Sequence, residues 1–226
     1  MSRLSVIVPT LDEEAVIEET LRSARQPGVA EILVVDGGSH DRTVERAAPL
    51  ADRVLFSPRG RAVQMNAGAR VARGDVLLFL HADTRLPPRY PEAVFSALAD
   101  ERVCGGRFDL RLEPSSPLLA LTATLINLRS RATRVATGDQ ALFVRRSVFE
   151  ALGGYPEWPL MEDLALSRAM KRAGRIACLR AKVVTSSRRW RTQGVLRTIV
   201  RMWTLRLLFY AGVPPERLAR HYPHAR

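Results

Sequence analysis

With 226 residues, 46% of them hydrophobic and 26% charged, the chain has the balance of a soluble globular protein and can bury the core of one domain or of a domain with an appendage. Its net charge of +12 is almost all arginine, since only Lys171 and Lys182 are lysines; scattered without a block, these charges suit nucleotide phosphates, nucleic acid or an acidic membrane surface, or equally reflect base composition. Cys104 and Cys178 lack metal-ligand spacing, which argues against a cysteine metal site, and Arg197, Arg201 and Arg206 inside the longest apolar stretch, 195–213, argue against a membrane span.

The first hundred residues alternate strand and helix. LSVIVPT enters a strand at once and is too short for a signal peptide, so a cytoplasmic location is expected. DEEAVIEETLRSAR sets Ile17, Leu21 and Ala24 at helical spacing behind an acidic first turn. AEILVVDGGSHD predicts a second strand, then a short helix closed by Pro49; DRVLFS a third strand; GRAVQMNAGARVA a helix; DVLLFL a fourth strand. Unbroken Val/Ile/Leu strands separated by helices predict a doubly wound, Rossmann-like α/β fold with a mostly parallel sheet, in which ligands bind at the carboxyl ends of the strands.

Beyond residue 88 the pattern changes. RYPEAVFSALADE reads as a helix, GGRFDLRLE as a half-exposed strand, PLLALTATLINLRSRA as an apolar helix too short to span a bilayer, and TGDQALFVRR as a strand. A short helix, a Gly/Pro-rich loop and a longer helix follow in SVFEALGGYPEWPLMEDLALSRAMKRAG, and the chain ends in a helical tail.

Polar clusters follow the predicted strands: Thr10 to Glu14, Asp36 to Asp41, His81 to Asp83 and Gly138-Asp139-Gln140, with Glu162-Asp163 opening a helix. In a parallel sheet the first three share one edge. Asp36 before two glycines can bond a ribose hydroxyl or base N–H, or the segment is a tight turn with Asp41 capping the next helix. Thr10 and Glu13 equally have capping-box spacing. In HADT, Asp83 suits a hard cation whose other ligands come from a diphosphate, and His81 suits manganese better than magnesium. Glu162 and Asp163 complement a helix dipole or supply a base, since adjacent carboxylates favour proton uptake by the pair. Arg188, Arg189 and Arg191 surround Trp190 in a cluster that suits phosphate, a nucleic-acid patch or a solvated face, and Arg59 and Arg61 form a second basic group on the first sheet half.

Taken in order, VIVPTLDEE, VVDGGSHD, GRAVQMNAGARVARGDVLLFLHADT, GGY and MEDLALSRAMKRAG resemble the inverting glycosyltransferases of family 2, with the GT-A fold, and most of all their small bacterial members. The resemblance implies a non-processive, metal-dependent hexosyltransferase that takes a nucleotide-sugar, a UDP-sugar being favoured, across the strand tips. Pro9, Thr10 and Glu13 would line the nucleoside pocket and Asp36 would hold uracil or ribose; Asp83, the last acid of the family's DxD, would hold Mn2+ or Mg2+ against the diphosphate. Asp163, second of the family's acid pair, would be the general base. Arg61, His81, Arg188 and Arg189 would complete the donor site, and Asp139, Tyr155, Trp158, Glu162 and Trp190 are weaker candidates for the sugar or acceptor.

Four positions depart from the family pattern: Gly37 for a second Asp, His81 for the first Asp of DxD, Met65 for an arginine whose work Arg61 would take over, and Ser186 for the Gln of QxxRW. The last argues against a processive synthase. His81 is then a group behind the ligands, a donor to ribose or diphosphate, or a spare ligand. A nucleotidyltransferase would need a Gly-rich basic loop where LDEE stands, and a nucleic-acid binder leaves the strand-tip acids unexplained, so no nucleic acid is expected as partner. The reading divides the chain into a GT-A domain over 1–190 and a C-terminal helical extension over 191–226. That extension packs on the domain or a homodimer partner, or touches the inner face of a membrane peripherally.

Overall fold

The computed structural model describes residues 3–222; the outermost positions of the ranges 1–190 and 191–226 lie outside them. β1 (Leu4–Thr10) is buried along its whole length, with β2 (Val29–Asp36) and β4 (Val76–Phe79) parallel on either side and β3 (Arg53–Phe56) beyond β2. Strands covered on both faces offer no solvent side, hence the unbroken apolar runs. The register sets Thr10 beside Asp36 and Ile7 beside Phe79, so the three following turns share one edge.

The sheet then turns mixed. β7 (Leu142–Arg145) runs antiparallel to β4, β6 (Val103–Glu113) antiparallel to β7, β8 (Arg175–Ser186) parallel to β6, and the two-residue β5 (Thr84–Arg85) antiparallel to β8. Their order is β3-β2-β1-β4-β7-β6-β8-β5, and the described residues form four parallel strand pairs and three antiparallel ones, so the sheet is mostly parallel. Because β7 is reversed, its entry turn, Gly138–Gln140, arrives at the same edge where β4 ends. β8 finishes there too, Ser186 N–H donating to the Asp83 carbonyl at 3.1 Å.

Alternate residues of the strands feed two cores. Val6, Val8, Ile32, Val34 and Leu78 pack with α1 (Ile17–Ala24), α4 (Tyr90–Leu98) and α5 (Pro117–Thr133), while Ile7, Leu33, Val35, Leu77 and Phe79 pack with α3 (Arg61–Val71), α6 (Arg146–Ala151) and α7 (Glu162–Ala173). α3 lies so close to the sheet that a Cβ on Gly68 would sit 2.6 Å from Cγ2 of Ile7. A third core joins Val135, Leu160, Met161 and Leu164 to Leu205 of α9 (Val195–Tyr210) and Leu218 of α10 (Pro215–Ala219), with Tyr222 beyond. No helix among the described residues is long and apolar enough to cross a membrane.

Three expectations change. β6 is not half-exposed: its first eight residues are buried, because Arg107 and Asp109 pair with each other inside the protein and Arg131 of α5 bonds Asp109 at 2.5 Å. β8, whose sequence RIACLRAKVVTS shows no clean alternation, is a strand that pattern reading passed over. Helix α1 starts at Ile17, later than its acidic lead-in, since the amides of residues 12–14 bond side chains of the next loop instead.

Candidate active site

The rim is built from two loops joined side by side. Asp12 N–H donates to Ser39 Oγ, Glu13 N–H to Thr43 Oγ1, Glu14 N–H to Asp41 Oδ2, and His40 N–H to Asp12 Oδ1, all between 2.7 and 3.0 Å. Asp41 also accepts from Thr43 N–H, the first residue of α2 (Thr43–Ala47), while the residue at the helix cap is Arg42. Thr10 and Glu13 form no capping box: the Thr10 hydroxyl donates to Asp36 at 3.2 Å, and Glu13 receives Arg188 of α8 (Arg188–Gln193) at 3.0 Å.

Asp36 does not line the cavity described below. At 1% exposure, its carboxylate accepts from the N–H groups of Gly38 and Ser39 at 2.8 Å each, from Ser39 Oγ and from Thr10, so it secures the turn. Behind it, the Gln64 amide donates to the carbonyls of Thr10 and Val35 at 2.8 Å.

At the centre of the edge stand His81, Gly138 and Asp163. Gly138 N–H donates to Asp163 Oδ2 and Leu164 N–H to Oδ1, both at 2.7 Å, which fixes the carboxylate at the head of α7. The buried Nε2 of His81 has no hydrogen-bond partner among the described residues and faces Gly138, where a Cβ would come within 2.5 Å of it. Burial, with the charges of Arg61 and Arg189, holds the imidazole pKa well below its ordinary value, so the ring is neutral.

Acids and arginines meet around them. Burial pushes the Glu162 carboxyl up, Arg61 at 3.4 Å pulling against the rise and Asp163 adding to it. Burial likewise raises Asp139, opposed by the Thr137 hydroxyl and reinforced by Asp163. Arg61 meets an opposing burial cost, yet the surrounding Glu162, Asp163, Tyr222 and Asp83 leave its pKa raised.

These groups line one cavity of about 910 Å³. Pro9, Thr10, Glu13, Arg61, His81 and Asp83 come to it from the first sheet half. Asp139, Glu162 and Asp163 form its floor, and Arg188, Arg189 and Trp190 arrive after β8. Two weaker candidates do not line it. Tyr155, 3% exposed, stacks edge-on with Phe79 and sits behind the site, bordering a small void with Arg61, His81, Gly138, Glu162 and Asp163, and the half-buried Trp158 packs against Phe209 of α9. The sequence reading did not assign the far wall, which α5 and α9 supply through Leu125, Leu128, Arg129, Met202, Trp203 and Arg206. Arg206, one of the three arginines inside the apolar stretch 195–213, was the signal available for it.

Among the described residues, Asp83 is placed to take part in holding a metal. Asp83 is half-buried on the cavity, with a single long contact, 3.4 Å, from Thr84 Oγ1, whereas His81 turns its Nε2 to Gly138. No group of three or more His, Cys, Asp or Glu suited to a metal occurs among the described residues. The donor set therefore fits a hard cation whose remaining oxygens come from a bound diphosphate, and no self-sufficient cage.

Residues 5–152 match the family model described as Glycosyl transferase family 2, a span that holds Asp83 and ends before Asp163. The undecaprenyl-phosphate 4-deoxy-4-formamido-L-arabinose transferase of Pseudomonas paraeruginosa is 34% identical over 167 residues, 66% of this chain and 49% of that protein; the chain thus spans about half the length of this curated relative. Among solved structures, S. aureus TarS 1-349 in complex with UDP-GlcNAc superposes with a TM-score of 0.62 at 20% identity, over 81% of this chain and 58% of that one. The mannosyltransferase PcManGT from Pyrobaculum calidifontis, in complex with GDP-Man and Mn2+, gives 0.64 at 25% identity, over 81% and 56%.

Proposed function

The chain belongs to glycosyl transferase family 2 and has the GT-A fold, and from that premise we propose that it moves a sugar from a nucleoside-diphosphate sugar, preferably a UDP-sugar, to an acceptor hydroxyl with inversion. The observation that carries the reading is the fixed Asp163 carboxylate on the floor of the cavity that Asp83, Arg61 and Arg188 also line. Asp163 takes the proton of the acceptor hydroxyl as that oxygen attacks the anomeric carbon from the face opposite the diphosphate. The bond from that carbon to the diphosphate oxygen breaks, and the nucleoside diphosphate leaves.

Arg188, tied to Glu13, and Arg189 stand where negative charge grows on the leaving group, and fixed cations stabilise such charge without reorganising. A divalent cation, manganese or magnesium, would be held by Asp83 and would offset the diphosphate charge. The complexes of the Pyrobaculum enzyme with GDP-Man and Mn2+ and of TarS with UDP-GlcNAc support these choices. The neutral His81 and the buried Glu162–Arg61 pair hold the floor in shape.

Asp163→Asn keeps the size and one of the two hydrogen-bond acceptors but not the base, so transfer should fall by about a hundredfold to ten-thousandfold while UDP affinity stays near wild type. Turnover at the wild-type rate in this variant removes Asp163 from the role. Asp83→Ala should abolish the extra thermal stabilisation that manganese adds to UDP, and an unchanged manganese increment removes Asp83 as the ligand.

A further inference from the structure

Asp163 stands between two basic groups. The charges of Glu162, Asp163 and Asp83 act on Arg61, and those of Asp139 and Asp163 act on Arg129 of α5. Arg129 shares the far wall of the cavity with Arg206 of α9, and its buried Nε and Nη2, like the buried Nε of Arg206, have no hydrogen-bond partner among the described residues. Buried guanidinium N–H groups left unpaired are costly, and two such cations side by side repel. Apolar side chains of like volume would fill a merely structural wall better. Burial and then the charge of Arg206 push Arg129 down to about 10, so it is still a cation at neutral pH. Nε and Nη2 form the edge of a guanidinium that grips two oxygens of an anion side by side. Both arginines line the cavity, and rotation of their long side chains turns these edges into it.

Two further features narrow the ligand. Glycosyl transfer asks for a hydroxyl within reach of Asp163, so an anion held at Arg129 and Arg206 must carry that hydroxyl on the same molecule. Trp190 and Trp203 line the same cavity, and Trp203 is 54% exposed. An indole offers a broad apolar face, which suits the CH face of a sugar ring whose rim carries the hydroxyls. The net charge of +12 draws anions toward the chain from a distance.

We propose that Arg129 and Arg206 form an anion subsite on the acceptor side of Asp163, and that the acceptor is an acidic sugar, a uronate or a sugar phosphate. The two guanidiniums hold its anionic group while a ring hydroxyl reaches Asp163. That hydroxyl oxygen forms the new bond to the anomeric carbon and gives its proton to Asp163. The diphosphate leaves with the electron pair of the old bond, and the acid group of the acceptor emerges unchanged. The role as acceptor rests on the glycosyl-transfer reading; the binding of an acidic sugar at the arginine pair does not.

Ligand-observed NMR titrations test it on the wild type and on Arg129→Gln/Arg206→Gln, with glucuronate, galacturonate and glucose 6-phosphate set against glucose, galactose, acetate and inorganic phosphate. At least one acidic sugar should bind wild type about tenfold or more tightly than its neutral sugar and than the bare anion, and should lose about tenfold or more in the arginine variant, as expected for lost charge-assisted hydrogen bonds. Tighter uronates identify a carboxylate as the anchor and tighter glucose 6-phosphate a phosphate, and either supports the subsite. Neutral sugars that bind as well as the acidic ones, or no binding of any acidic sugar, overturn it. Acetate or inorganic phosphate binding as tightly as the acidic sugars overturns the sugar and leaves a site for a bare anion. A variant that binds the acidic sugars like wild type removes the arginines from the role, and the wild-type comparisons stand even if the variant does not fold. A parallel titration with UDP separates the two readings. Acidic-sugar binding in a protein that ignores UDP sinks the donor reading and supports the subsite, whereas UDP binding without any acidic sugar sinks the subsite alone.

Discussion

Gly138 carries more of the site than its size suggests. Its φ lies outside the left-handed region, so the backbone does not demand glycine; the space does, because a Cβ would lie 2.5 Å from Nε2 of His81 and 3.6 Å from Oδ2 of Asp163. The N–H of the same residue aims the proposed base. Gly138→Ala should therefore cost about 1–3 kcal/mol of stability by overpacking and lower kcat for transfer more than it raises the donor KM. Adding His81→Ala makes room for the methyl group and should recover most of the stability, which urea unfolding of the single and double variants measures. A Gly138→Ala protein with wild-type stability and kcat removes Gly138 as the positioning residue. A second glycine bears on one of the departures from the family pattern. A Cβ on Gly37 would meet the Gln64 amide at 3.1 Å, so glycine where the pattern has a second acid leaves room for the Gln64 side chain.

At the scale of elements, sequence pattern revealed what periodicity encodes. The first sheet half was legible because strands buried on both faces leave continuous apolar runs, and strand-tip polarity marked the edge where the cavity lies. β6 misled because alternating charges signal solvent unless the charges pair internally, as Arg107, Asp109 and Arg131 do. β8 was missed because its residues are mostly half-buried at the edge of the curled sheet, where neither period dominates. Of the cavity lining, Asp83 and the arginines after β8 stood out because charged groups follow apolar strands there, and Asp163 because it stands beside a second acid at a helix start. Tyr155 did not fit, since a loop aromatic reads the same whether it faces a ligand or the core. The α5–α9 wall was illegible because it exists only after two helices far apart in sequence come together.

Across the whole molecule, the C-terminal helices bear on both stability and the site. Leu205, 3% exposed, Leu218 and Tyr222 pack on Leu160, Met161 and Leu164, the residues that lead into α7 and so set the place of Asp163. The other face of α9 carries Trp203 and Arg206 to the cavity. A tail that only leaned on a finished domain would melt by itself; one that shares a core with the segment before α7 should melt with it. Leu205→Ala opens that shared core and should cost about 2–5 kcal/mol, the range for a buried leucine whose surroundings relax only in part. Scanning calorimetry should show one transition in wild type, moved as a whole to lower temperature in the variant, and the fluorescence change from Trp158, Trp190 and Trp203 should coincide with loss of far-ultraviolet ellipticity. Two transitions, with only the earlier one shifted by Leu205→Ala, would make the tail an independent unit. In that case the wall it lends to the cavity would open well below the temperature at which the sheet unfolds, and transfer would fail before the fold does.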